Sequence, residues 1–226
     1  FQERILSDWR NTGNSCMNCH VHSQARSDLS IFYVRGKNGG AFLNRNGELR
    51  KLSLKAKDMI SGTVYGEIHP SGRYGVFSTN IIIPGFHTQG SRRLEVYDTK
   101  SDLAIADFDN NEMTVPQALS RKDVFETFPA FSADGKSIYY CAADTLPLPG
   151  DIEKLRYSLM RVSFDERTGR AGQDVEVIWD AEEHKASVCH PKCSPDGKWI
   201  MYTVAEYGTF PIWHTECQLE MMNLHT

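Results

Sequence analysis

Apolar residues along this chain come in short runs divided by turn residues, and a period of 3.6 is nowhere sustained. Ile31-Phe-Tyr-Val34 reads as a buried strand. Gly39-Gly40 then turns the chain into Ala41-Phe42-Leu43, and Asn46-Gly47 marks a hairpin ahead of Leu49 to Leu54. Asp151 to Leu155 is expected to form a helical turn; short strands are expected nearly everywhere else. Three stretches share one pattern: Gly66 to Phe77, Pro129 to Tyr140 and Pro191 to Tyr202. Each is a short strand, a tight turn with glycine, then an apolar strand. The glycine reaches positive φ without a Cβ clash.

The turn glycines, 72, 135 and 197, stand 63 and 62 positions apart. Further strands follow in each unit: Leu94 to Asp98, Leu159 to Ser163 and Leu219 to Leu224 as third strands, Leu103 to Phe108 and Val175 to Trp179 as fourth ones. Long loops are expected at 78–92 and 141–157. Four strands at a fixed period predict an all-β fold, a β-propeller of four-stranded blades. About four blades are expected here, in an incomplete propeller, with an N-terminal segment at 1–28 and blades at 29–226.

Composition narrows the class. The chain has 226 residues, 40% of them hydrophobic and 24% charged, which suits a globular domain with a sizeable core. A net charge of −4 without a basic run argues against nucleic acid as a partner. No membrane span is expected, because Ile81-Ile82-Ile83 is stopped by Pro84-Gly85 far short of the roughly 20 apolar residues required. The absence of an initiator Met and the strand-like run close to the end suggest part of a longer protein. Six Cys are too few to read as a disulfide framework at this length.

Cys16-Met17-Asn18-Cys19-His20 carries the distinctive chemistry. It has the C-x-x-C-H spacing of c-type haem attachment. Two thiols at this spacing add to the vinyl groups of one porphyrin edge, and the next residue offers an imidazole to the iron. A disulfide, a redox dithiol or half of a zinc site would use the same cysteines. A thioredoxin-type dithiol wants a βαβ context, which this pattern lacks.

Pro129-Ala-Phe-Ser-Ala-Asp-Gly-Lys-Ser-Ile-Tyr-Tyr140 and Pro191-Lys-Cys-Ser-Pro-Asp-Gly-Lys-Trp-Ile-Met-Tyr202 resemble the WD40-like repeats of the TolB family of bacterial periplasmic propellers. This resemblance covers roughly 60–226. Ser15 to His20, with Ile31 to Gly36 and Gly39-Gly40, is similar to the TolB-like propellers of Gram-negative bacteria that carry one haem motif ahead of the blades. The resemblance implies covalent haem on Cys16 and Cys19, iron on His20, and a periplasmic or cell-envelope location. The unit at 66–77 departs from the pattern, lacking Asp before its glycine and lacking Phe-Ser. Cys193 also stands where the repeat usually has Phe.

In this repeat type the strand before the turn is innermost, so the haem motif is expected to enter the first inner strand near His20, at one mouth of the channel. The residues seven before each turn glycine, Tyr65, Phe128 and His190, align at that level. His190 is the first candidate for a second iron ligand, with Tyr65 and Phe128 beside the cofactor. His22 is too close in sequence to reach the other face of the same iron. His69 falls near the far end of the channel, where a packing role is expected. Cys189 and Cys193 would complete a four-sulfur zinc site only by joining Cys16 and Cys19 from another blade. Cys141 is expected to be a core thiol, and Met17 and Met59 to be packing residues. Neither a nucleophile elbow nor a phosphate-cradling glycine loop is present, so an enzyme ranks last. The leading expectation is a haem-bearing propeller that carries electrons or senses a ligand, with a redox or envelope protein as partner. The alternative is a protein-binding propeller scaffold in which the C-x-x-C-H is idle or binds zinc.

Overall fold

The computed structural model describes residues 16–36, 39–90, 94–211 and 214–225. Residues 1–15, most of the segment expected ahead of the blades, lie outside the described residues. The first sheet holds β1 (Met17–His22), β2 (Leu29–Val34), β3 (Gly40–Arg45) and β4 (Glu48–Leu52). The second holds β5 (Thr63–Ile68), β6 (Tyr74–Phe86), β7 (Leu94–Asp107) and β8 (Glu112–Thr114). The third holds β9 (Val124–Phe131), β10 (Ser137–Asp144), β11 (Ser158–Asp165) and β12 (Arg170–Trp179). A one-turn helix, α1 (Ala181–His184), leads to the fourth, which holds β13 (Ser187–Cys193), β14 (Trp199–Ala205) and β15 (Gln218–Asn223). Each sheet is an antiparallel meander whose strands pair in chain order. The innermost strands pack in succession, β1 on β5, β5 on β9 and β9 on β13. The chain is an all-β propeller of about four blades.

Strand alternation explains how the blades stack. Side chains two apart share a face. On β10, Ile138 and Tyr140 point into the cluster shared with blade two, which includes Val76 and Ile105. Tyr139 and Cys141 point the other way, into the cluster shared with Val188, Ile200 and Tyr202 of blade four. A third cluster joins Leu29, Ile31 and Leu43 of blade one to Ile68, Phe77 and Phe108 of blade two. Each of these three clusters thus lies between neighbouring blades. Cys141 is a fully buried core thiol.

The two Asp-Gly turns are built alike. Gly135 N donates to Ser132 O at 2.9 Å and Gly197 N to Ser194 O at 3.0 Å, and both glycines have φ of 71°. Asp134 Oδ1 accepts from Lys136 N, and Asp196 Oδ1 from Lys198 N. Blade two has Ser71 in place of this Asp and keeps the same closure: Gly72 N donates to His69 O at 2.8 Å and Arg73 N to Ser71 Oγ at 3.3 Å. There, His69 Nδ1 accepts from Ser71 N at 3.1 Å. Its Nε2 donates to Gly135 O at 3.0 Å, tying the turn of blade two to that of blade three. The expected packing role of His69 is therefore an inter-blade strut.

Two expectations are corrected. Leu94 to Asp98 and Leu103 to Phe108 are not separate strands. They lie on β7, apart from Phe108 just past its end, and β7 pairs with β6 from Tyr74 to Phe86 through one irregularity at Ile81 and Ile82. The expected loop at 78–92 is therefore mostly strand. Ser78-Thr79-Asn80 looks like a loop in sequence but is buried between blades, where its polarity no longer reports exposure. The fourth strand of blade two is the short β8 instead. The division at 28/29 also falls inside blade one, because β1 pairs with β2 across it.

One buried carboxyl gives the fold a pH dependence. Glu126 on β9 accepts from Arg121 Nε at 2.8 Å, yet its own side chain is fully enclosed. Burial outweighs the guanidinium and pushes the carboxyl up to about 7, from 4.5. A group that holds its proton more tightly when folded stabilises the fold below its unfolded pKa and loses that contribution as pH rises through the folded value. Stability should thus fall by up to roughly 3 kcal/mol from this group between pH 4 and 8. Urea titrations should show a flatter profile over that window in Glu126→Gln; an unchanged slope would show that Glu126 is not its source.

Candidate functional site

All four inner strands carry a one-residue bulge at one level. Asn18 pairs with Tyr33 and Val21 with Ile31, which leaves Cys19 and His20 opposite Phe32. In β9 the bulge holds Phe128 and Pro129, and in β13 His190 and Pro191. In β5 it falls at Val64 and Tyr65. Cys19, Phe128 and His190 adopt left-handed φ of 50°, 49° and 52°. Such a conformation costs a residue with a Cβ about 1–2 kcal/mol. In each of these three strands the left-handed residue is the first of the two that bulge.

Cys19, Tyr65, Phe128 and His190 each stand four residues before the first residue of their blade's turn. Those residues, Ser23, His69, Ser132 and Ser194, all donate their N–H to the carbonyl that begins the next strand. Cys19 is therefore the blade-one member of the set. Counting back from turn glycines missed it because the first turn, Gln24 to Asp28, has no glycine.

These residues meet at a cleft of about 540 Å³, lined by Cys19, His20, His22, Tyr65, Phe128 and His190 among others. That volume is in the range of small-molecule and cofactor sites. The Phe128 ring lies 4.3 Å from Tyr65 and 3.9 Å from His190, centre to centre. His20 and His22, two apart on β1, both face the cleft with ring centres 6.3 Å apart. Cys16 immediately precedes β1 and is exposed, and its carbonyl accepts from Arg35 N at 2.9 Å. A regular strand would send positions 16 and 19 to opposite faces. The bulge interrupts that alternation at Cys19.

Electrostatics set the protonation of the site. His190 is open to the cleft, but blade walls surround it on the other sides. The loss of bulk water, and then the Lys192 ammonium, hold its pKa below the ordinary imidazole value. Its ring is therefore neutral at pH 7 and has a lone pair to offer a metal. Surrounding protein raises the Cys19 thiol, and Arg35 partly offsets this. Burial pushes the Tyr65 hydroxyl up to about 12. Below the ring level, Lys192 of blade four forms an ion pair with buried Glu67 of blade two. No local pattern marks this strut, which crosses between blades that are not neighbours.

The donor set fits a c-type haem: two exposed thiols at the required spacing, the adjacent imidazole, a neutral imidazole in the same cleft and an aromatic wall. The four-sulfur alternative is not assembled. Cys189 and Cys193 are buried in the core between blades three and four, whereas Cys16 and Cys19 are exposed. Among the described residues, no three His, Cys, Asp or Glu side chains gather as a metal site.

By sequence the chain matches no family model and no curated protein. Among solved structures it is similar to a prolyl endopeptidase, at 13% identity and a TM-score of 0.56 over 94% of this chain and 28% of that one. It is also similar to prolyl oligopeptidase B from Galerina marginata, at 10% identity and a TM-score of 0.54 over 93% of this chain and 29% of that one. The chain thus spans less than a third of either protein. At this identity the likeness shows the propeller fold alone.

Proposed function

We propose that this propeller carries a covalently attached haem at the mouth formed by its inner strands. Cys16 and Cys19 hold the porphyrin edge, and His20 and His190 are the iron ligands from the protein. The observation that carries this reading is the meeting of Cys19, His20 and His190 at one aromatic-walled cleft. When bound, the haem supplies a one-electron redox centre or an iron that binds small ligands. The chain's own part is to fix the thiols, present two imidazoles and hold the site against Tyr65 and Phe128. Electron transfer or ligand sensing follows from that chemistry, with an envelope or redox protein as partner. A periplasmic location follows from the resemblance of the repeats, and covalent haem attachment is consistent with it. Among the described residues no helix is long and apolar enough to cross a membrane.

Expression with a haem-ligation system tests the proposal. Mass measured after denaturation should include one haem, and Cys16→Ser with Cys19→Ser should abolish it. The same chain made without ligation should still fold, because the three apolar clusters that join the blades contain neither Cys16 nor Cys19. Unaltered protein that never gains the haem mass would favour the protein-binding scaffold. That second reading has an observation of its own: the hairpin of β6 and β7 presents exposed Ile81, Ile82, Ile83 and Phe86.

A further inference from the structure

A group of buried oxygens lies between blades two and three, next to the Tyr65 and Phe128 wall. Asp98 on β7 is only 2% exposed. Its Oδ1 accepts from Asn80 Nδ2 at 2.9 Å, and the same nitrogen donates to Thr127 Oγ1 at 3.1 Å. Asp98 Oδ2, Asn80 Oδ1, Ser101 Oγ and Tyr157 Oη are buried without a hydrogen-bond partner. Ser101 stands directly across from Asn80 in the β6–β7 pair. Tyr157 is near enough for the Asp98 charge to act on its hydroxyl. No cationic side chain among the described residues pairs with Asp98, and burial pushes its carboxyl up to about 6.

Unpaired buried polar atoms and an uncompensated buried carboxylate are each costly. We propose that Asp98, Asn80 and the surrounding hydroxyls bind a sodium ion that joins blades two and three. The donors are all oxygens, which suit a hard cation. One carboxylate among neutral oxygens balances a single positive charge. A divalent ion would leave net positive charge buried in the core. The ion would satisfy the Asp98 charge and the open lone pairs together, and would hold Thr127, the neighbour of Phe128, against blade two. This inference does not depend on the haem.

The test uses the whole chain at constant ionic strength, with sodium chloride replaced stepwise by choline chloride. The melting temperature should rise with sodium and level off, by about 5 °C or more once sodium is well above its dissociation constant. Asp98→Asn keeps the side-chain shape, removes the charge, and should melt at one temperature in both salts. An unaltered chain that melts identically in the two salts would overturn the proposal. A sodium response that persists in Asp98→Asn would also overturn it, as would stabilisation by micromolar calcium in the choline medium. Should Asp98→Asn fail to fold, sodium-23 relaxation with the unaltered chain decides the matter. Saturable enhancement is expected, and relaxation equal to that of buffer would refute the site.

Discussion

Alanine in place of His190 should convert the haem-loaded protein from a low-spin, six-coordinate form to a high-spin form that binds carbon monoxide. His190 is at the bulge of β13, with φ of 52°, where a regular strand would not place it. Its ring is held at 3.9 Å from Phe128 and 6.3 Å from Tyr65, and lines the same cleft as His20. Because the ring is kept neutral, an iron would not have to displace a proton from it near pH 7. Losing a nitrogen ligand would weaken the field at the iron and leave it open to small ligands. His190→Gly relieves the left-handed strain as well, and added imidazole should restore its low-spin spectrum. An unchanged low-spin spectrum in His190→Ala would remove His190 from the iron. The haem mass itself should survive either substitution, because Cys16 and Cys19 remain.

Gly135→Ala should destabilise the fold far more than Gly197→Ala, although the two turns share Asp-Gly-Lys and the same glycine φ. Both glycines have φ of 71°, so alanine costs about 1–2 kcal/mol of backbone strain at either one. Their surroundings differ. A Cβ on Gly197 would meet only Ala133, at 3.5 Å, an ordinary contact. A Cβ on Gly135 would fall 2.1 Å from His69 Nε2, the atom that donates to Gly135 O. His69 is enclosed edge-on against Phe131, with ring centres 4.9 Å apart, and has little room to retreat. The bond would break and a buried N–H would lose its partner, which adds roughly 1–3 kcal/mol. Repacking adds a comparable amount. Urea unfolding should therefore place Gly135→Ala about 2–6 kcal/mol below Gly197→Ala. In His69→Ala the further cost of Gly135→Ala should shrink toward that of Gly197→Ala. Equal losses for the two glycine variants would mean that His69 is not the strut described here.

The sequence by itself determined the blades. The Asp-Gly turns at 134–135 and 196–197, the alternation in Ile138 to Cys141, and the 62–63-residue step are local signals, because turn chemistry and strand period act over a few residues. For the same reason Tyr65, Phe128 and His190 could be aligned without coordinates. Blade two was only partly legible. Ser78-Thr79-Asn80 has loop-like composition, and only the packing of blade three shows that its polar groups are buried within one long strand. Only the tertiary structure decided that Cys19 belongs with Tyr65, Phe128 and His190, since the first turn lacks the glycine from which the others can be counted. It also decided the partners of His69, Glu67 and Asp98. These lie on different strands, brought together by closure of one blade against another, and sequence separation carries no trace of that distance. Buried polar groups find partners wherever the packed chain supplies them, so their roles emerge only after the apolar faces have fixed how the blades meet.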